Sequence, residues 1–408
     1  MYTIKDYAYN GLLYLNNIVR ARHKRLSQLM IYSTTACQSR CKHCNIWQKP
    51  VEHLSLDDIK RIMQSRCVTR RTTVGLEGGE FILHPQAAEI MTWFREHHPN
   101  YTLLSNCLAP RRVIDAVRRY QPRHLYVSLD GGRETYQRMR GRDGYDRVIQ
   151  VVETLKDEVP LSLMFCLSPW NSLDDMAFVI DIAKHYHVDV RIGIYGTMAY
   201  MVASPPPPLQ GERGVDTLLS KHNAQNYILP SPVGEGLGVR LLSLRSTSEN
   251  FDFVALYDQW RKGNLRLRCQ SIMSSLVVHS NGDVPLCQNL DVVLGNIHHQ
   301  TLDDIFNGPQ ACQTQCRYSK DCNGCWINFH RKYDIILLRS MERLLPKRII
   351  EKIYGPYQWT NNPRMTYRQY FRTKVSNLLY FNNCRDDITD PTPDPPFKGR
   401  VRGGVCNY

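Results

Sequence analysis

Between Gln28 and about Gly196 one pattern repeats: a short apolar run, a polar or glycine-rich break, then an amphipathic stretch. The runs QLMIYSTTA, TTVGLEGGE, YTLLSN, HLYVSLD, PLSLMFCLS and DVRIGIYG read as six strands. SLDDIKRIMQSR, PQAAEIMTWFREHH, RRVIDAVRRY, GYDRVIQVVETLKDE and SLDDMAFVIDIAKHY read as the helices between them. Ser55-x-x-Asp58 forms a capping box, Ser172 caps the last helix, and a proline opens the second. Consecutive strands joined by helices lie parallel, because a parallel pair needs a crossover of a dozen or more residues. The strands end in EGGE, SN, SLDGG and GIYG. In parallel α/β folds chemistry sits at those carboxyl ends.

The rest of the chain is less regular. SPPPPLQGERG (204–214) reads as a stiff linker, followed by an irregular region to about Leu267. A cysteine-rich block runs from Cys269 to Cys325, then a basic helical stretch, RKYDIILLRSMERLLPKRIIEKIYG. The tail DDITDPTPDPPFKGRVRGGVCNY reads as disordered. The expected organisation is an N-terminal helical segment (1–27), a core (28–203), a linker region (204–268), a cysteine domain (269–330), a basic helical region (331–380) and a tail (381–408).

The formal net charge of +14 fits a nucleic acid, an anionic membrane or an acidic substrate, and equally fits solubility alone. Leu12 to Val19, followed by Arg20, Arg22, Lys24 and Arg25, suits a helix lying on a membrane surface or one packed on the next domain; packing is the expectation. No apolar run reaches 18 residues, and the N-terminus lacks a signal-peptide pattern. The expected setting is therefore cytoplasmic, where 14 cysteines point to metal rather than disulfides.

TTACQSRCKHCNIW places Cys37, Cys41 and Cys44 in the loop after the first strand. Four thiolates close a 4Fe–4S cube, whereas three leave one iron open to a ligand that chelates through nitrogen and oxygen. A zinc knuckle with a distant fourth ligand is the alternative. The Cys-x3-Cys-x2-Cys spacing resembles the cluster loop of the radical S-adenosylmethionine enzymes. The resemblance implies a partial (β/α)6 barrel in which the open iron takes the methionine amino and carboxylate groups. His43 matches the family position near the adenine. Gly78, Gly79 and Glu80 match its Gly-Gly-Glu motif, which receives the methionine amino group. Ser105 and Asn106 resemble its Ser-Asn pair near ribose and methionine, with Cys107 where a glycine is commoner. Ser128 and Asp130 are expected at the ribose and the methionine end, and Arg140 on the methionine carboxylate. The resemblance covers about Gln28 to Met201.

Cys269 and Cys287 flank LVVHSNGDVPL, which reads as a hairpin turning at Asn281-Gly282; the capped helix TLDDIF follows, then Cys322 and Cys325. This block resembles the auxiliary-cluster domain of the SPASM and twitch group, and Cys-x17-Cys with Cys-x2-Cys implies one further 4Fe–4S cluster. A four-thiolate zinc site suits the same spacing. Adding Cys312, Cys316 and Cys384 gives the seven cysteines of a two-cluster SPASM domain, but with x3 and x2 gaps in exchanged places. Cys67, Cys107 and Cys166 read as ordinary buried thiols.

Two function classes follow. One is an enzyme that cleaves S-adenosylmethionine to a 5′-deoxyadenosyl radical, takes a substrate hydrogen, and uses the auxiliary cluster for electron transfer in an oxidation. Its partners would be a small-molecule or peptide substrate and an electron donor such as flavodoxin or ferredoxin. No winged-helix peptide-recognition domain fits the short N-terminal segment, which lowers the peptide reading. The other class is a non-enzymatic iron–sulfur or nucleic-acid module, supported by the aromatics in YGPYQW and YRQYF. Docking of the basic helix on the barrel is the simpler expectation.

Overall fold

The computed structural model describes residues 4–20, 22–195 and 248–357. The Pro-rich stretch, YRQYF, Cys384 and the tail lie outside them. β1 (Gln28–Thr34), β2 (Thr73–Gly78), β3 (Tyr101–Ser105), β4 (His124–Ser128), β5 (Leu161–Leu167) and β6 (Asp189–Ile194) pair in parallel in chain order. Leu29, Ile31, Val74, Leu76, Leu125, Val127, Leu163, Phe165, Val190 and Ile192 point to the helical side and are at most 1% exposed. Each such burial contributes about 1.5–3 kcal/mol. The residues between them, among them Met30, Tyr32, Glu77, Tyr126, Met164 and Arg191, share the other, concave face.

A seventh strand completes the half-barrel. β7 (Ser275–Val278) pairs in parallel with β1, from the cysteine-rich block. The expected turn is present: Gly282 sits at φ +84, and His279 N–H donates to Asp283 O at 2.8 Å. Yet the strands on its two sides belong to different sheets, since β8 (Asp283–Pro285) pairs with β9 (Val293–Asn296). The reason lies in SLVV, whose four residues are all buried. A run buried on both faces suits a parallel sheet better than a half-exposed hairpin, and β7 covers what would be an open edge of β1.

α2 (Leu56–Met63) and α7 (Leu173–His185) begin with complete capping boxes at Ser55 and Ser172. α3 (Ala87–His97) starts two residues after Pro85, and α4 (Pro110–Tyr120) has its proline in the first turn. α5 (Arg133–Arg140), not foreseen in the periodicity, precedes α6 (Tyr145–Leu155) and ends on Gly141 at φ +62.

α1 (Ile4–Val19) packs through Leu13, Tyr14 and Asn17, while Leu12, Leu15 and Val19 stay exposed. Asn17 Nδ2 donates to Arg25 O at 2.7 Å and Met273 O at 2.9 Å. No described helix is long and apolar enough to cross a membrane. A helix at Ser248–Arg261 occupies part of the stretch read as irregular. The basic stretch forms helices Asn328–Leu344 and Lys347–Tyr354. Ile335 and Leu338 are buried, and Asn328 Nδ2 donates to Ile192 O at 3.1 Å, so the first of these helices docks on β6.

Candidate functional site

The three-cysteine loop is clamped by the end of α5. Arg40 N–H donates to Arg140 O at 2.9 Å, Lys42 N–H to Met139 O at 2.8 Å, and Ser39 Oγ–H to Arg140 O at 3.1 Å. A Cβ on Gly141 would lie 2.8 Å from Arg40 O. The end of β2 crosses the start of the loop: Gly79 N–H donates to Thr34 O and Glu80 N–H to Ala36 O, both at 2.7 Å. A Cβ on Gly78 would lie 2.2 Å from Thr34 O, and one on Gly79 2.3 Å from Ala36 O. The glycine pair thus lets two chain segments cross, a different reason from the close approach of a ligand.

Burial pushes the Cys37 thiol up to about 12 and the Cys44 thiol to about 11. Free of metal these thiols keep their protons, and a bound metal must displace them. Donors already point at the sulfurs. Asn106 Nδ2 lies 3.7 Å from Cys37 Sγ, Ser39 Oγ 3.1 Å from Cys41 Sγ, and Arg140 Nη1 3.7 Å from Cys41 Sγ. His43 Nδ1 and Gln38 Oε1 are buried without a partner among the described residues. Burial lowers His43 to about 4, so its imidazole is neutral. Three thiols in one loop, with N–H and O–H donors beside two of them, suit by ligand type an iron–sulfur cluster with one open iron, although among the described residues they are not drawn into a metal-binding group.

Glu80, 2% exposed, accepts from Ser105 Oγ–H at 2.9 Å and Asn106 N–H at 2.8 Å. Burial raises its carboxyl to about 7 against those bonds. Asp130 is fully buried and both its oxygens are engaged by the protein: Oδ2 by Arg140, Oδ1 by Cys166 N–H at 3.0 Å. Arg140, expected on a ligand carboxylate, is thus held by Asp130. Ser128 ends β4 just before it, buried. Cys107 takes φ +57, a left-handed conformation that favours glycine, which accounts for the glycine expected there. Cys67 and Cys107 are buried, while Cys166 is half-buried on the concave face. Ser39 and Gln38 carried no motif; only their place in the loop pointed to them.

The second group of cysteines gathers around the turn that leads into β7. Cys269 and Cys287 share an apolar cluster with Ile272, Met273 and Leu286, and Cys322 packs against it. Cys325 is buried beside them, and the Cys322 and Cys325 thiols act electrostatically on both Cys269 and Cys287. Burial raises Cys269 and Cys325 and takes Cys287 to about 12. Arg331, fully buried, donates through Nε to Cys325 O at 2.9 Å and through Nη1 to Leu267 O at 2.8 Å. Cys312 lies apart from this group, its Sγ 3.3 Å from both Lys24 Nζ and Asn307 O. Cys316, one turn further along the helix Pro309–Asp321, is exposed. Gln288, next to Cys287, donates through Nε2 to Tyr32 OH at 2.6 Å, joining this site to the concave face of the barrel.

Residues 31–180 match the Radical SAM superfamily, and residues 269–326 match SPASM, an iron–sulfur cluster-binding domain. The chain is 21% identical over 335 residues to the antilisterial bacteriocin subtilosin biosynthesis protein AlbA of Bacillus subtilis, covering 73% of this chain and 68% of AlbA. It is 23% identical over 199 residues to the Fe-coproporphyrin III synthase of Methanosarcina barkeri, 46% of this chain and about half (49%) of that protein. Its fold resembles Streptococcus suis SuiB bound to S-adenosylmethionine, with a TM-score of 0.51, 12% identity, and coverage of 77% of this chain and 74% of SuiB. SuiB bound to its precursor peptide SuiA gives the same TM-score, with 13% identity and coverage of 77% and 72%. With its half-barrel and its three-thiol loop, the chain carries a radical S-adenosylmethionine superfamily domain over residues 31–180 and a C-terminal SPASM domain over residues 269–326.

Proposed function

We propose that this enzyme oxidatively modifies a peptide, with Cys37, Cys41 and Cys44 holding the S-adenosylmethionine-binding 4Fe–4S cluster. Cys269, Cys287, Cys322 and Cys325 hold a single auxiliary cluster. When bound and reduced by one electron, the first cluster and S-adenosylmethionine supply a 5′-deoxyadenosyl radical. The chain's own residues orient that cosubstrate. Glu80 accepts an N–H of its amino group, Arg140 is held by Asp130 for its carboxylate, Ser105, Asn106 and Ser128 line the ribose and methionine, and His43 borders the adenine. The half-barrel excludes water from the reacting carbon. The net charge of +14 complements an acidic electron carrier such as a flavodoxin or ferredoxin.

The observation that supports this reading is the hydrogen bond from Gln288, next to Cys287, to Tyr32 on the concave face of the barrel. The peptide assignment is supported by the likeness to AlbA, a bacteriocin biosynthesis protein, over most of this chain. The test is reduction of the reconstituted protein with S-adenosylmethionine, then coexpression with small peptides encoded beside it. The expected results are 5′-deoxyadenosine and a peptide lighter by two hydrogens. A protein that releases no 5′-deoxyadenosine is not this enzyme.

A further inference from the structure

Glu77 lies on β2, one residue before the glycine pair, and pairs in register with Tyr32 of β1. Its neighbour Leu76 is fully buried on the helical side, which places Glu77 on the concave face. The carboxyl turns back along the strand, away from Glu80: a Cβ on Gly75 would meet Glu77 Oε1 at 3.1 Å and Met30 Cγ at 3.6 Å.

Other acids on or near this face are already engaged. Glu80 accepts from Ser105 and Asn106, and Asp130 from Arg140 and Cys166. Asp189 accepts from Ser162 Oγ–H at 3.2 Å and lies 3.4 Å from Arg191 Nε. Glu77 is half-buried, its backbone oxygen accepts from Ser33 Oγ–H at 3.4 Å, and its carboxyl has no hydrogen bond or ion pair among the described residues; burial pushes that carboxyl up to about 7. On the concave face the strands beside it present Met30 and Tyr32 from β1 and Leu104 from β3, with Gln288 bonded to both Met30 Sδ and Tyr32 OH. A half-buried carboxylate with no protein partner gains from a cation brought to it. Aromatic and thioether walls receive the aliphatic stem and the charge of such a cation without competing for it.

We propose that Glu77 anchors a cationic nitrogen of the substrate, an ammonium or guanidinium on an aliphatic stem such as a lysine or arginine side chain. This deepens the peptide-modifying reading and rests on it. The anchor holds a positively charged residue inside the barrel and so selects which neighbouring residue meets the radical.

The probes are N-acetyl-lysine amide, N-acetyl-arginine amide and the uncharged N-acetyl-norleucine amide, titrated by calorimetry into the reconstituted, S-adenosylmethionine-bound full chain. The expected result is at least about tenfold tighter binding of one cationic amide over norleucine amide. Glu77→Gln should abolish that preference and Glu77→Asp, which keeps the charge, should retain part of it, with thermal melts showing both variants folded. Equal binding of all three amides to the wild type, or an unchanged preference in Glu77→Gln, overturns the anchor. Release of 5′-deoxyadenosine by the reduced wild type is measured in the same samples. If it is present without charge preference, the anchor alone fails; if it is absent, the enzymatic reading fails and takes the anchor with it.

Discussion

Arg140 donates to the buried carboxylate of Asp130 at 2.7 Å through Nε, and its Nη2 lies 2.5 Å from the same oxygen. Its Nη1 reaches Cys41 Sγ at 3.7 Å. One guanidinium therefore joins the end of β4 to the cluster loop, with its planar fork fixed in direction. Asp130→Asn keeps the shape but leaves a buried cation unpaired, which costs roughly 3–5 kcal/mol. The expected outcome is a lower melting temperature together with weaker S-adenosylmethionine binding. An unchanged melt would mean that the pair contributes nothing to the fold.

The two cysteine sites lie on different parts of the chain and should load independently. Replacing Cys37, Cys41 and Cys44 together by alanine should abolish 5′-deoxyadenosine formation while leaving the iron at the second site. Iron analysis and chromatography of the reduced reaction check both halves. Continued cleavage by the triple variant would remove these cysteines from the reaction.

The βα alternation made the six barrel strands legible, because period-two burial and capping boxes are local properties of the sequence. The cysteine loop was legible for the same reason, its three thiols lying within eight residues. Long-range pairing was not. SLVV and DVP read as one hairpin because they flank Asn281-Gly282, yet β7 finds a partner some 250 residues away in β1. α5 was hidden because a helix of eight residues with four charged side chains shows no apolar period. The Asp130–Arg140 pair was hidden too, since each residue alone matched a ligand-facing position and only geometry shows that they face each other. Glu77 left one signal, a lone charge at an inward position of an apolar strand.

Glu80 makes cosubstrate affinity depend on pH. Burial raises its carboxyl to about 7, while the bonds from Asn106 and Ser105 pull it down. Only the ionised form attracts an amino N–H strongly. Binding should therefore weaken as pH falls through about 7 and level off above it. Measurements kept below about pH 7.7 avoid titration of an α-amino group itself. Glu80→Gln should bind more weakly at the upper end and show a flat profile. A wild-type profile as flat as that of the variant would remove Glu80 from cosubstrate recognition.

The placement of Cys312 and Cys316 leads to a prediction of one auxiliary cluster. Cys269 and Cys287 share one apolar cluster with Cys322 packed against it, and the Cys325 thiol acts electrostatically on Cys269 and Cys287. Cys312 instead contacts Lys24 Nζ and Asn307 O, and Cys316 sits exposed on the same helix. With one cube at each site, the anaerobically reconstituted protein should contain about eight irons. Cys312→Ser and Cys316→Ser should keep that count, since neither thiol belongs to the four. Two auxiliary clusters would instead give about twelve irons, with about four lost in each serine variant. Zinc at the second site would leave about four irons and one tightly held zinc. The expected value is eight, because a second cube would require Cys312 to leave its lysine and the helix Pro309–Asp321 to turn. A count near twelve that falls on mutating Cys316 would show that this helix rearranges when the cluster binds.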